Sequence, residues 1–191
     1  MKCELHFPMP IWYEETRLNN DVILRLCDKI KNIDPAGRQK SNYGGWQSQD
    51  FHEGNYPELA ALESTINRFS KDCFYDLGYD SPGKIHNFWI NRNNRHNFNN
   101  VHVHPGAIIS GVYYVSCAEN TGNLVFPRPP SEAYILAGGS ENRMTQLNAW
   151  GASYQPKSGM IFLFLGHMNH YVEPNENFNF ERISIAFNLG F

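Results

Sequence analysis

Two stretches in the first eighty residues repeat apolar positions at helical spacing. Val22, Leu26 and Ile30, beside Ile23, Cys27 and Ile33, form one stripe that predicts a helix from Asp21, a candidate N-cap, to about residue 33. Leu59, Leu62, Ile66, Phe69, Cys73 and Leu77 form a second stripe, opened by Pro57 and stopped by Gly78. Both read as packing helices.

From Lys84 onward the period changes to two. Phe88 and Ile90 alternate with Asn87, Trp89 and Asn91, as in a strand. Residues 107–116 form an apolar, β-rich run, and residues 122–127 a shorter one. Residues 131–137 and 146–155 supply further strand material around a Gly138 and Gly139 loop. Met160 to Leu165 is apolar on both faces, which suits a strand buried on both sides. Arg182, Ser184, Ala186 and Asn188 then alternate with Ile183, Ile185 and Phe187. Helices followed by many short strands imply an α+β fold with a jelly-roll core.

The 191 residues suit one domain, residues 1–191, with 1–83 as helical support and 84–191 as the jelly-roll core. A mean hydropathy of −0.50 and the absence of an apolar run of membrane length argue against a spanning helix. Glu4 and two prolines break what a secretory leader would need, so a cytoplasmic location is expected. The four cysteines, Cys3, Cys27, Cys73 and Cys117, are widely spaced and are expected to be reduced and buried. A net charge of −3 offers no basic footprint and argues against a nucleic-acid substrate.

Candidate chemistry sits in NVHVHPGAIISGVYYVS, residues 100–116. If residues 101–104 are extended, His102 and His104 project from one face, where two imidazoles can share a metal ion. A third ligand is needed. His167 and His170, in the turn after the 160–165 strand, both offer one, and spacing alone does not choose between them. Arg182 and Ser184, two apart in an apolar strand, are costly to bury unless something anionic meets them.

Taken in order, HxH followed by SGVYYV, then TGNLVFPRP, HYVEP and RISIAFN resemble the Fe(II)/2-oxoglutarate-dependent oxygenases. The likeness is greatest to a putative 2OG-Fe(II) oxygenase group of phages and bacteria, and extends to the prolyl-hydroxylase branch. It covers residues 84–191, with SNYGGWQSQDF at 41–51 also similar.

That resemblance implies a double-stranded β-helix and a hydroxylase using Fe(II), 2-oxoglutarate and O2, with succinate and CO2 as co-products and ascorbate as an aid to sustained activity. It implies His102, His104 and His170 as metal ligands. Arg182 and Ser184 would hold the far carboxylate of 2-oxoglutarate, with Tyr114 and Asn91 as further contacts. His104 stands where the superfamily has an acidic ligand. Three neutral imidazoles still hold a divalent metal, but they leave its charge uncompensated until the dianion arrives.

The primary substrate, a small molecule or a peptide, is not named by these residues; prolyl or peptidyl hydroxylation follows by analogy. Tyr43 and Trp46 are candidate substrate contacts in a glycine-hinged segment at 41–50 that reads equally as a flap over the substrate cleft or as an ordered loop with Trp46 buried, and Arg128 either meets an acidic substrate group or faces water. Two rival functions remain open. One is a three-His, cupin-type dioxygenase that does not use 2-oxoglutarate, and the other is a non-catalytic metal- or ligand-binding jelly roll.

Overall fold

The computed structural model describes residue 2, residues 4–129 and residues 145–191. Its strands form two antiparallel sheets. In the larger, β1 (Ile11–Glu15), β9 (Met160–Leu165), β6 (Ile109–Ser116), β11 (Arg182–Gly190), β4 (Lys84–Asn93) and β3 (Trp46–Gln47) lie side by side in that order. The smaller runs β2 (Asn42–Tyr43), β5 (Phe98–His102), β10 (His170–Val172), β7 (Leu124–Pro127) and β8 (Gly151–Tyr154).

Side-chain alternation assigns each face of the larger sheet. On one face Ile161 and Leu163 of β9, Ile183, Ile185 and Phe187 of β11, and Phe88 and Ile90 of β4 share a core with two helices. These are α1 (Asn20–Ile33), through Ile23, Leu26 and Cys27, and α2 (Ala60–Asp76), through Leu62, Ile66 and Phe74. On the opposite face Phe162 and Phe164 of the same β9 pack with Tyr114, Leu124, Phe126 and Met168. Leu124 and Phe126 belong to the smaller sheet, so this second core lies between the sheets, the arrangement of a double-stranded β-helix. The doubly apolar run at 160–165 therefore serves two cores at once.

Several local expectations shift. Helix α1 starts at Asn20 after Asn19 rather than being capped by Asp21, which lies in the first turn where its carboxylate meets the positive helix end. The Asn20 side chain instead accepts from the Tyr113 hydroxyl. Proline 57 opens a short 3-10 turn, Pro57–Leu59, and Gly78 follows α2 at φ +83°. Strand β1 is not marked by any alternation; it forms along the edge of β9, Ile11 opposite Phe164. Of the 146–155 strand only Gly151–Tyr154 forms, because a turn holds Ala149 N–H on Thr145 O at 2.9 Å. The 131–137 strand and its glycine loop lie outside the described residues, as does Cys3.

Segment 41–50 is woven into both sheets rather than standing free as a flap. Asn42 pairs with Asn99 in the smaller sheet, and Gln47 with Asn91 in the larger. The crossing is made at Gly44, whose φ of +70° a side chain would strain. Cys27 and Cys73 are buried free thiols pushed up to about 12 by burial, and Cys117 is a partly buried free thiol. Among the described residues no helix is long and apolar enough to cross a membrane.

Candidate metal centre and its buried chamber

His102 ends β5 and His170 opens β10, and the two are direct cross-strand partners. His104, two residues past His102 on the same side, is fixed by its own N–H on Gly166 O at 2.8 Å. The ligand nitrogens of the three rings lie within 4.8 Å of one another, and the Nε2 atoms of His104 and His170 are 3.2 Å apart. His102 Nδ1 donates to Asn100 O at 2.7 Å, and His170 Nδ1 to Met168 O at 2.9 Å. A carbonyl can only accept, so both Nδ1 atoms carry the proton and both Nε2 lone pairs are left for a metal. These backbone supports have no side-chain signature in the sequence. His167 is exposed and outside the cluster.

Burial lowers all three imidazoles below the ordinary 6.5. His104 falls to about 4 and His170 to about 3, desolvation leading and neighbouring imidazole charge adding; His102 moves the same way by desolvation. The rings are thus neutral at neutral pH, as metal ligation requires. In the metal-free protein the unfolded chain takes up protons on these rings below about pH 6.5 while the folded one does not. Stability is therefore full above that pH and is lost as pH falls toward 4. Thermal melting of chelator-treated protein should show a Tm that drops from pH 7 to pH 5, with a smaller drop in His170→Phe. A flat profile would contradict the assignment.

A cavity runs inward from the imidazoles between the sheets, lined by Tyr114, Asn91, Arg182 and Ser184 along with all three histidines. Register explains the grouping. Ser184 on β11 lies opposite Asn91 on β4 and opposite Tyr114 on β6, so three polar side chains form one row across adjacent strands. Arg182 is one position further along the same face. It is only 2% exposed, with NH1 donating to Thr121 O and Glu173 O while NH2 has no partner among the described residues. Its pKa is lowered, chiefly by burial, and is partly restored by Tyr114. The Tyr114 hydroxyl and the Asn91 amide oxygen are likewise buried and unpaired. Burial holds Tyr114 well above its ordinary value, so it remains a protonated donor.

Two devices aim Arg182. Arg92 binds Glu181 at 3.0 Å and Asp28 of α1 at 2.6 Å, tying β4, the residue before Arg182 and the helix layer together. Gly122, at φ +91°, leaves the guanidinium its room, since a Cβ there would come within 2.6 Å of Arg182 NH1. Gly122→Ala should cost about 1–3 kcal/mol of stability and displace the guanidinium. Chemical denaturation and a 2-oxoglutarate titration of that variant check both effects.

The weaker sequence candidates lie elsewhere. Trp46 is 9% exposed, packed in the helix-side core with its Nε1 on Asp34 O at 2.9 Å, and Tyr43 is exposed and stacked on Phe98. Arg128 donates to Ala149 O at 2.7 Å on a separate groove. None of the three lines the chamber. Trp89, by contrast, lies with its ring centroid 5.4 Å from that of His104, a neighbour not singled out by the sequence.

This geometry fits a divalent metal plus a dicarboxylate. Three neutral nitrogen donors converge and, among the described residues, no carboxylate lines the chamber, while one guanidinium nitrogen of the buried Arg182 and two further polar atoms are without a partner.

Comparison with known proteins agrees. The family model described as putative 2OG-Fe(II) oxygenase matches residues 87–188. A prolyl-4-hydroxylase from Pseudomonas putida is similar in structure at 16% identity and TM-score 0.61, covering 94% of this chain and 91% of that one. A viral collagen prolyl hydroxylase from Paramecium Bursaria Chlorella virus-1, in complex with 2OG, gives 12% identity, TM-score 0.62 and 94% coverage of both. A non-heme alpha ketoglutarate dependent carbocyclase from nogalamycin biosynthesis gives 11%, 0.63, and 95% and 79%. At these identities the likeness is one of fold. No curated protein matches the sequence.

Proposed function

Because this chain belongs to the putative 2OG-Fe(II) oxygenase family, we propose that it hydroxylates a C–H bond of a primary substrate, consuming 2-oxoglutarate and O2 and releasing succinate and CO2. In this reading His102, His104 and His170 hold Fe(II), and Arg182, Ser184, Tyr114 and Asn91 hold the distal carboxylate of 2-oxoglutarate. The single supporting observation is the buried Arg182, which lines the same chamber as the three imidazoles and has its NH2 unpaired among the described residues. Without an anion that group carries a desolvation cost of about 1–3 kcal/mol or more.

When bound, the iron and its cosubstrate supply the activation of O2. The chain's own residues position and exclude. The Nε2 lone pairs of three neutral rings are presented from fixed tautomers. Arg182 NH2 and the Tyr114 hydroxyl donate toward one end of the chamber, and the Asn91 amide can turn either end toward the ligand. Phe164, Leu124 and Val172 line the same space and keep it dry, which strengthens each of these bonds. The buried guanidinium disfavours a three-His dioxygenase acting without 2-oxoglutarate, since that chemistry brings it no partner. We assign residues 1–83 a supporting role within one catalytic unit, and ascorbate the role of sustaining turnover. A peptidyl substrate follows by analogy with the prolyl hydroxylases, and a small molecule by analogy with the carbocyclase.

Succinate formation from 2-oxoglutarate with Fe(II) and ascorbate, with a cell extract as the source of primary substrate, tests the reading. Wild type should form succinate and Arg182→Ala less than about a hundredth as much. Iron binding with no succinate from wild type would contradict it.

A further inference from the structure

Outside the chamber a second, more open cleft of about 490 Å³ reaches the same metal centre, touching His102, His104 and Trp89. Its size is that of an ordinary ligand site. Arg38 and Gln47 line it, and each has one buried side-chain atom without a partner among the described residues, Arg38 Nε and Gln47 Oε1. They belong together. Arg38 and Gln47 are antiparallel bridge partners, Arg38 N–H on Gln47 O at 2.8 Å, and such partners project their side chains to one side. Gln47 is 3% exposed and also lies opposite Asn91, so the polar row of the chamber, Tyr114, Ser184 and Asn91, continues through it into the cleft.

We infer that Gln47 and Arg38 form a subsite that receives an amide group of the primary substrate, Gln47 Oε1 accepting its N–H and Arg38 Nε donating to its C=O. An orphan acceptor beside an orphan donor is the complement of an amide. Charge narrows the choice further. Asp50 already binds Arg38 NH2, so the guanidinium is neutralised and a carboxylate ligand would have to compete with an internal one. The indole of Trp89, beside His104, offers an apolar surface for the carbon next to that amide, which brings its C–H toward the metal side of the cleft. Amide recognition rests on the oxygenase reading only for where the cleft leads.

The test uses full-length protein loaded with Mn(II) and 2-oxoglutarate, which does not turn over but relaxes the NMR signals of protons near the metal. Three probes are compared: a blocked dipeptide amide, its depsipeptide analogue with ester oxygen in place of the N–H, and benzamide as a small-molecule amide. Wild type should bind the dipeptide or benzamide, which decides between peptide and small-molecule sources, and should bind the depsipeptide at least tenfold more weakly than whichever amide it binds. Gln47→Met should weaken the amide probe about tenfold, leave the depsipeptide unchanged, and keep or raise the Tm, because an unpaired buried acceptor has been removed.

A structural role predicts the reverse, a lower Tm with unchanged probe binding, and that result overturns the subsite. So do equal affinities for amide and ester, or no relaxation of either amide probe. Should Gln47→Met not fold, Gln47→Glu keeps the acceptor and must retain amide binding; its failure to do so also overturns the subsite. Wild type that binds no 2-oxoglutarate sinks the oxygenase reading itself, whereas 2-oxoglutarate binding without probe binding sinks the subsite alone.

Discussion

Arg182→Ala is expected to weaken 2-oxoglutarate binding to the metal-loaded protein by about thirtyfold or more. A charge-assisted pair made in a desolvated chamber is worth about 2–5 kcal/mol when one partner is deleted, and each 1.4 kcal/mol is a tenfold change. The loss is concentrated on one interaction because NH1 is already committed to Thr121 O and Glu173 O, leaving NH2 for the ligand. Arg182→Lys keeps the charge without the planar fork and should recover only part of the affinity. Titration calorimetry on Mn(II)-loaded protein reads both. Because the alanine variant also leaves the Thr121 and Glu173 carbonyls without this donor, its melting curve should be recorded alongside. A folded Arg182→Ala protein that binds 2-oxoglutarate within threefold of wild type would remove the dicarboxylate from the account.

His104→Asp is expected to raise metal affinity in the absence of cosubstrate by about tenfold or more, and to shrink the gain that 2-oxoglutarate brings. Three neutral imidazoles leave both charges of a divalent ion uncompensated, and the nearest lining charge is the cationic Arg182. Metal and dianion should therefore bind wild type as a strongly coupled pair, each tightening the other by the same factor. A carboxylate at position 104 supplies part of that charge internally, so the coupling falls. The His104 main chain is held by Gly166 O and by the turn to Ala107, independent of its ring, so the substitution need not move the loop. Mn(II) titrations with and without 2-oxoglutarate, in both proteins, give the two coupling factors directly. Equal coupling in the two would contradict this.

Much of the fold is legible because burial acts residue by residue. The run at 160–165 is apolar at every position, and each face meets a different core. The alternation at 182–188 puts Ile183, Ile185 and Phe187 under the helices and Arg182 and Ser184 into the chamber. What stays hidden is long-range or made of backbone. Nothing local marks Ile11–Glu15 as a strand, since β9 is what completes it. A polar, glycine-hinged segment leaves open whether Trp46 is a surface contact or buried, and it is the Asp34 carbonyl at the exit of α1 that receives its N–H and draws the ring inside. The supports of the imidazoles are the carbonyls of Asn100 and Met168, which any residue type could supply. Between His167 and His170, both in the turn after β9, only the register of β10 against β5 decides which faces His102.

One crystal structure of the protein grown with Mn(II) and 2-oxoglutarate tests the central claim most directly. A single metal ion about 2.0–2.3 Å from one nitrogen each of His102, His104 and His170, with the far carboxylate of 2-oxoglutarate on Arg182, is the predicted result. A metal bound without one of those imidazoles, or a dicarboxylate that leaves Arg182 unpaired, would contradict it.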